Sequence, residues 1–160
     1  MSGFHVIGKS LQRKEDRTKV FGTALYTDDL TLPGMLYAKV LRSRIPSAIV
    51  KRICGVEASQ LPGVAAVLTA KDIPGGNGVG IIFKDEPVLV TDRIRRAGDA
   101  LALVAADKSD LALKGLQKIE VELEETPGLF SPQEAMAPDA CPIHTGSNIL
   151  VHRKIYFTSA

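Results

Sequence analysis

Along residues 119–124 apolar and acidic side chains take strict turns: Ile119, Val121 and Leu123 alternate with Glu120, Glu122 and Glu124. A period of two sends successive side chains to opposite faces, so this segment is expected to be a half-exposed strand. Just upstream the period lengthens. Leu111, Ala112, Gly115, Leu116 and Ile119 fall on one face at helical spacing, which predicts a helix with Asp107 or Ser109 as its N-cap. Glycine inside a helix costs up to about 1 kcal/mol relative to alanine, so a close packing contact is the expected reason for Gly115. Leu101 to Ala105 is the most apolar stretch and is expected mid-sheet. Val64 to Leu68, bounded by Pro62-Gly63 and Thr69, suits a buried strand.

Weaker patterns fill in the rest. Residues 1–19 are polar without a clear period and predict an irregular arm, followed by an extended lead-in over Phe21–Asp29. Pro33-Gly34 marks a turn. Met35–Leu41, with Leu36, Ala38 and Val40 on one face, and the β-branched Ala48–Ile53 are strand candidates, separated by Ile45-Pro46-Ser47. Glu57–Leu61 predicts one helical turn, stopped by Pro62-Gly63. Pro74–Gly80, with four glycines, predicts a loop, and Pro87–Val90 and Ile94–Ala97 predict short extended pieces. Beyond Thr126-Pro127-Gly128 the chain turns irregular, with prolines at 132, 138 and 142, before a last strand candidate over Ile149–Phe157. Strands with two short helices and no regular βαβ repeat make the expected fold α+β with a mixed sheet.

Composition narrows the class further. A chain of 160 residues with 45% hydrophobic content suits one domain with a real core. The formal net charge is +2. Basic residues gather at Arg13, Lys14, Arg17 and Lys19, at Lys51-Arg52, and at Arg93, Arg95 and Arg96, but Glu15 and Asp16 break up the first group. With no Trp and eight scattered Tyr and Phe there is no stacking platform, so no nucleic-acid partner is expected. The longest apolar run, Ala100–Ala106, is far short of the ~18–20 residues a membrane span needs. The N-terminus has neither a basic nor an apolar leader region, so no membrane partner and a cytoplasmic location are expected. Cys54 and Cys141 stand alone in sequence, outside any zinc or iron–sulfur spacing; two reduced thiols are expected, with a single long-range disulfide left open.

One chemical motif matches outright. Gly3 to Ser10 (GFHVIGKS) satisfies the G-x-x-x-x-G-K-[ST] phosphate-loop pattern. Such a loop needs a strand to deliver it and a helix N-terminus behind it. Only Met1 and Ser2 precede this one, and residues 11–17 offer too little apolar face for a buried helix, so the match is taken as coincidental. The glycines of 75–80 fail the dinucleotide spacing, because Ile81 stands where the third glycine would be, and a flexible surface loop is expected. His5, His144 and His152 do not form a ligand spacing, and no G-x-S-x-G nucleophile motif occurs. Glu120, Glu122, Glu124 and Glu125 fit the solvated face of a strand better than an acid–base pair. No catalytic, cofactor-binding or metal-ligating residue is therefore assigned.

The order of segments carries a resemblance that single residues do not. Arg17–Asp29 (RTKVFGTALYTDD) resembles the KVTG-A-Y-DD opening of molybdenum hydroxylase large subunits, the family of xanthine dehydrogenases, aldehyde oxidoreductases and carbon monoxide dehydrogenases. Leu36–Ser43 with Pro46–Ile49 is similar to its S-x-PHA-I strand pair, and Leu61–Val64 with Val67–Pro74 to its PGV-x-x-V-x-T-x-x-D-x-P. Asp85–Leu89, Gly98–Ala106, Ile119–Glu122 and Pro142–His144 with Asn148-Ile149 resemble the elements that follow. Phe21 stands in place of the usual Thr, Ser47 of His and Ala100 of Pro, and Thr126-Pro127-Gly128 departs from the usual E-x-LP ending. The lead-in Ile7–Ser10 also resembles prokaryotic members, which accounts for the phosphate-loop match.

The resemblance implies an α/β-hammerhead domain over residues 13–155, an N-terminal arm over 1–12, and a tail over 156–160 leading to a missing cofactor-binding region. It implies a structural domain of a xanthine dehydrogenase-type hydroxylase that oxidises a purine, N-heterocycle or aldehyde as a full complex. No cofactor is expected in this chain. A molybdenum–pterin group is expected in the full subunit, with iron–sulfur clusters, and FAD as an optional addition, in partner modules. The implied partners are the remainder of the large subunit and those iron–sulfur and flavin modules. The chain alone is expected to be inactive, as a truncated or split gene product. A free-standing binding or scaffold module of the same fold is the alternative.

Overall fold

The computed structural model describes residues 5–144 and 146–156. The chain divides into residues 1–35 and residues 36–160, two units that are described in turn.

The first unit contains a short helix where an irregular arm is expected: α1, Asp16–Val20. Local side chains make it. Glu15 and Lys19 pair one turn apart at 2.7 Å, and Asp16 accepts the Arg13 amide at 3.1 Å. Gly22, at φ 67, ends the helix in the left-handed conformation that only glycine adopts without strain. The lead-in contains a 3₁₀ turn, Thr27–Asp29, closed by Asp29 accepting the Tyr26 amide at 2.9 Å. The expected Pro33-Gly34 turn forms, with Gly34 at φ 75.

In the second unit the strands are β1 (Tyr37–Arg42), β2 (Ala48–Cys54), β3 (Val64–Leu68), β4 (Gly78–Val79), β5 (Glu86–Pro87), β6 (Arg93–Ile94), β7 (Ala100–Ala106) and β8 (Glu120–Glu125). The helices are α2 (Val56–Ser59), α3 (Ser109–Leu116) and α4 (Pro132–Ala135). Among the described residues the strands make three small sheets, ordered β1-β7-β3, β6-β2-β8 and β4-β5. All their pairings are antiparallel, so the expected mixed sheet is corrected while the α+β class stands. The physical reason is that α3 links β7 to β8 in a different sheet, so its crossover imposes no parallel pairing within one sheet.

β7 is central, as its apolar sequence predicts. It feeds two clusters. Val104 and Ala106 pack with Ala112 of α3, flanked by Val67, Leu111 and Leu116. Leu101 joins Ala48, Val90 and Ile94, flanked by Leu41, Val121 and Leu123, which links the two three-stranded sheets. Fully burying a side chain such as Val104 or Ile94 stabilises by roughly 1.5–3 kcal/mol.

Several expectations need correction. β3 has the predicted bounds but is an edge strand and only half-buried, because β7 flanks it on one side alone. Neither Asp107 nor Ser109 caps α3. The Asp107 amide is tied to the Gly63 carbonyl at 2.9 Å, so the extended Lys108 becomes the N-cap and Ser109 the first helical residue. The 126–148 region holds α4, whose Ser131 hydroxyl accepts the Glu134 amide at 3.2 Å. Residues 149–156 form no strand; their β-branched residues find no neighbouring strand to pair with. The last residue of that expected strand, Phe157, lies outside the described residues.

Candidate functional site

The phosphate-loop match begins at Gly3 and Phe4, outside the described residues. From His5 to Ser10 the chain makes bends and a turn closed by the Lys9 amide on the Val6 carbonyl at 3.2 Å, and the next helix starts only at Asp16. The strand–loop–helix frame that gives such a motif its phosphate-binding geometry is not formed by these residues.

The glycine-rich 75–80 segment is more ordered than a flexible loop. β4 pairs with β5, and the Asn77 side chain brackets Leu89, donating Nδ2 to its carbonyl at 2.6 Å and accepting its amide on Oδ1 at 3.0 Å. A Cβ at Gly78 or Gly80 would run into the main chain of Lys84 or Phe83, so glycine is there to let the two arms approach. The tip, Ile81 to Phe83, is exposed, with Ile81 fully so.

His5 and His152 are exposed, and His144 Nδ1 lies 2.9 Å from Asp85 Oδ2. Among the described residues no group of three His, Cys, Asp or Glu side chains could hold a metal ion. Cys54, half-buried at the end of β2, and Cys141, exposed, are both free thiols. The β8 glutamates form the solvated face the alternation predicts: Glu120 pairs with Arg52 at 3.0 Å and Glu124 with Lys51. Exposed pairs of this kind contribute about 0–1 kcal/mol each.

What the sequence did not single out is a cavity of about 280 Å³ formed by segments 46–47, 93–97, 127–130 and 141–143. Its only sequence signal was the basic group Arg93, Arg95 and Arg96. Arg93 sits on β6 and Arg95 and Arg96 in the turn that follows it, and each is used differently. Arg93 Nη1 donates to the Pro142 carbonyl at 3.1 Å and Nη2 to Cys141 Sγ at 3.4 Å. Arg95 Nε donates to the Ile143 carbonyl at 3.1 Å and Nη1 to the Arg93 carbonyl at 3.1 Å. Arg96 is bound by carboxylates, Glu86 and Asp99, and the Glu86 hydrogen bond foremost holds its guanidinium pKa above the ordinary value. Asp99 also accepts the amides of Arg95 and Arg96, at 2.8 and 3.2 Å, which fixes the turn that presents them. Asn148 folds the far wall: its Oδ1 accepts the Ile143 amide at 2.8 Å while Nδ2 reaches the Ala135 and Cys141 carbonyls at 3.0 and 3.3 Å. Small-molecule sites run to roughly 300–1,000 Å³, so this cavity suits a small group and not a large cofactor.

Comparison with known proteins adds the relationships. The family model described as the a/b hammerhead domain of aldehyde oxidase and xanthine dehydrogenase matches residues 21–127. The chain is 45% identical over 144 residues to a probable xanthine dehydrogenase subunit of Bacillus subtilis, covering 90% of this chain and 19% of that protein. It is 43% identical over 146 residues to the nicotinate dehydrogenase large molybdopterin subunit of Eubacterium barkeri, covering 91% of this chain and 34% of that protein. The crystal structure of the aldehyde oxidoreductase from Desulfovibrio desulfuricans superposes with a TM-score of 0.81 at 35% identity, over 88% of this chain and 17% of that one. The chain thus spans between about a fifth and a third of the length of these curated relatives.

Proposed function

Because the chain belongs to the a/b hammerhead domain family of aldehyde oxidases and xanthine dehydrogenases, we propose that it is the structural domain of a molybdenum-dependent hydroxylase large subunit of xanthine dehydrogenase type. Residues 13–155 make up the domain in this reading, with residues 1–12 an arm and 156–160 a lead into the remainder of the subunit. The full complex hydroxylates a purine, N-heterocycle or aldehyde oxidatively. The observation that carries the reading is the family match, which lies within alignments that cover 90% of this chain and only a fraction of the relatives.

In this reading the molybdenum–pterin group belongs to the remainder of the subunit, and iron–sulfur and flavin modules are further partners. This domain's part is to present surface. The tip Ile81-Ile82-Phe83 and the segment Ile149-Leu150-Val151 expose apolar side chains that an isolated module would leave in water, and such patches mark interaction faces. The free thiols fit a cytoplasmic setting. No described helix is long and apolar enough to cross a membrane.

The reading is tested by metal and pterin analysis of the purified chain and of the chain combined with a separately produced cofactor-binding remainder. We expect neither molybdenum nor pterin on the chain alone, and both in the complex. Stoichiometric molybdenum and pterin on the chain alone would overturn the assignment.

A further inference from the structure

Arg93 and Arg95 carry charge that little around them cancels. The groups they bind are main-chain carbonyls and a thiol, which satisfy N–H donors without neutralising a cation. The Asp99 carboxylate is bound to the Arg95 amide, and among the described residues the carboxylate paired with the Arg95 guanidinium is Asp92, with Oδ1 3.9 Å from Nη1 and its side chain 73% exposed. Arg93 Nε is buried and has no hydrogen-bond partner among the described residues. Both arginines are half-buried, so solvent screens them less than it screens Arg96, which already has two carboxylates. The cavity is also lined by the apolar Pro46, Leu129 and Phe130, the last of them largely exposed. Gly128 leaves room for two of them: a Cβ there would stand 2.9 Å from the Phe130 ring and 3.3 Å from Pro46 Cγ.

We propose that this cavity is a carboxylate-binding socket, in which the Arg93 and Arg95 guanidiniums take the carboxylate and Pro46, Leu129 and Phe130 take its apolar stem. The planar fork of a guanidinium matches a carboxylate, and charge-assisted bonds of this kind are the stronger class. A monovalent organic anion, with one charge and an apolar stem, suits two partly used cations beside apolar side chains better than a phosphate dianion, which has no apolar part to place there. The carboxylate comes either from a small free acid or from an Asp or Glu side chain of the docked remainder of the subunit; the second source rests on the function proposed above.

The test is a titration of the chain with sodium acetate and sodium benzoate, following the Arg Nε–Hε resonances by NMR, with sodium chloride at matched ionic strength as reference. We expect saturable shifts at Arg93 and Arg95 in the millimolar range, benzoate the tighter ligand, with Arg42 unmoved and binding about tenfold weaker in Arg95→Lys. Inorganic phosphate is run alongside. Shifts that match chloride, that appear equally at Arg42, or that phosphate produces more tightly than benzoate would each overturn the socket, and these wild-type readouts stand whether or not the variant folds. The same titration on the domain docked to its remainder separates the sources: saturation retained points to a free acid, and saturation lost to an internal side chain. Failure of docking itself would count against the proposed function and leave the socket result on the isolated chain intact.

Discussion

Gly115 offers a quantitative check on how α3 sits on β7. Two effects oppose when it becomes alanine. In a helix interior alanine is better than glycine by about 1 kcal/mol, which alone would stabilise the protein. The new Cβ, however, would stand 2.8 Å from Val104 Cγ1 and 3.6 Å from Val104 Cβ and Cγ2. Carbon atoms settle at about 3.5–4.0 Å, so close to 1 Å has to be recovered by movement. Val104 cannot supply it easily. It is fully buried, stiff at χ1 because it is β-branched, and sits on a strand hydrogen-bonded on both sides. The helix must back off instead, loosening Ala112 and Leu116 against the core. Overpacking of this kind typically costs about 1–3 kcal/mol, which exceeds the propensity gain and leaves a net loss of about 0–2 kcal/mol.

Equilibrium urea unfolding of a double-mutant cycle separates the two effects. Val104→Ala alone should destabilise by about 1.5–3 kcal/mol through lost burial. On that background Cγ1 is gone, so Gly115→Ala should change sign and stabilise by about 1 kcal/mol. The coupling between the two sites should therefore be at least about 1 kcal/mol, well outside the ~0.3–0.5 kcal/mol expected of independent sites. Stabilisation of the wild type by the full alanine increment, or simple additivity across the cycle, would refute the close approach of α3 to β7.

Two further outcomes follow from other parts of the chain. Asn77→Ala strips both hydrogen bonds from the main chain of the buried Leu89 and should cost about 2 kcal/mol in urea unfolding; an unchanged midpoint would mean the bracket does not hold the β4–β5 hairpin to the core. The Thr69 amide and then the Thr69 hydroxyl hold the Asp72 carboxyl below its usual 3.8, so the native form binds fewer protons than the unfolded form in that range. Its contribution is present above about pH 4 and lost as pH falls through the lowered value, so Asp72→Asn should flatten the acid limb of stability measured from about pH 5 to 2. An acid limb as steep in the variant as in the wild type would remove the Thr69–Asp72 hydrogen bonds as a source.

How much of this was legible in the sequence depends on the reach of each interaction. β8 and α3 show in the alternation of Ile119, Val121 and Leu123 and in the helical spacing of Leu111, Ala112 and Leu116, because burial against a core imposes those periods directly. Gly115 too was readable, as a local rule broken for a packing reason that Val104 supplies. Ser131-Pro132-Gln133-Glu134 carries a complete start signal for α4, with cap, proline at the first helical position and a glutamate that returns to the Phe130 amide at 2.9 Å, yet one turn is too short to show a period. Residues 149–156 err the other way: β-branched composition states a preference, and only a neighbouring strand can fulfil it.

The cavity beside Arg93 and Arg95 is hidden for a different reason. Arg95 meets the Ile143 carbonyl 48 residues on, and Arg93 meets that of Pro142 across a similar gap. Every residue has a carbonyl, so the acceptor's identity leaves no mark on the sequence, whereas a partner carboxylate at a fixed spacing would have. The same fact gives the site its chemical character. Arginines matched to acidic side chains, as Arg96 is to Glu86 and Asp99, have their charge used within the fold. Arginines matched to main-chain carbonyls have their geometry fixed while the charge stays available, and that combination of rigid placement with uncancelled charge is what a recognition site for an anion requires.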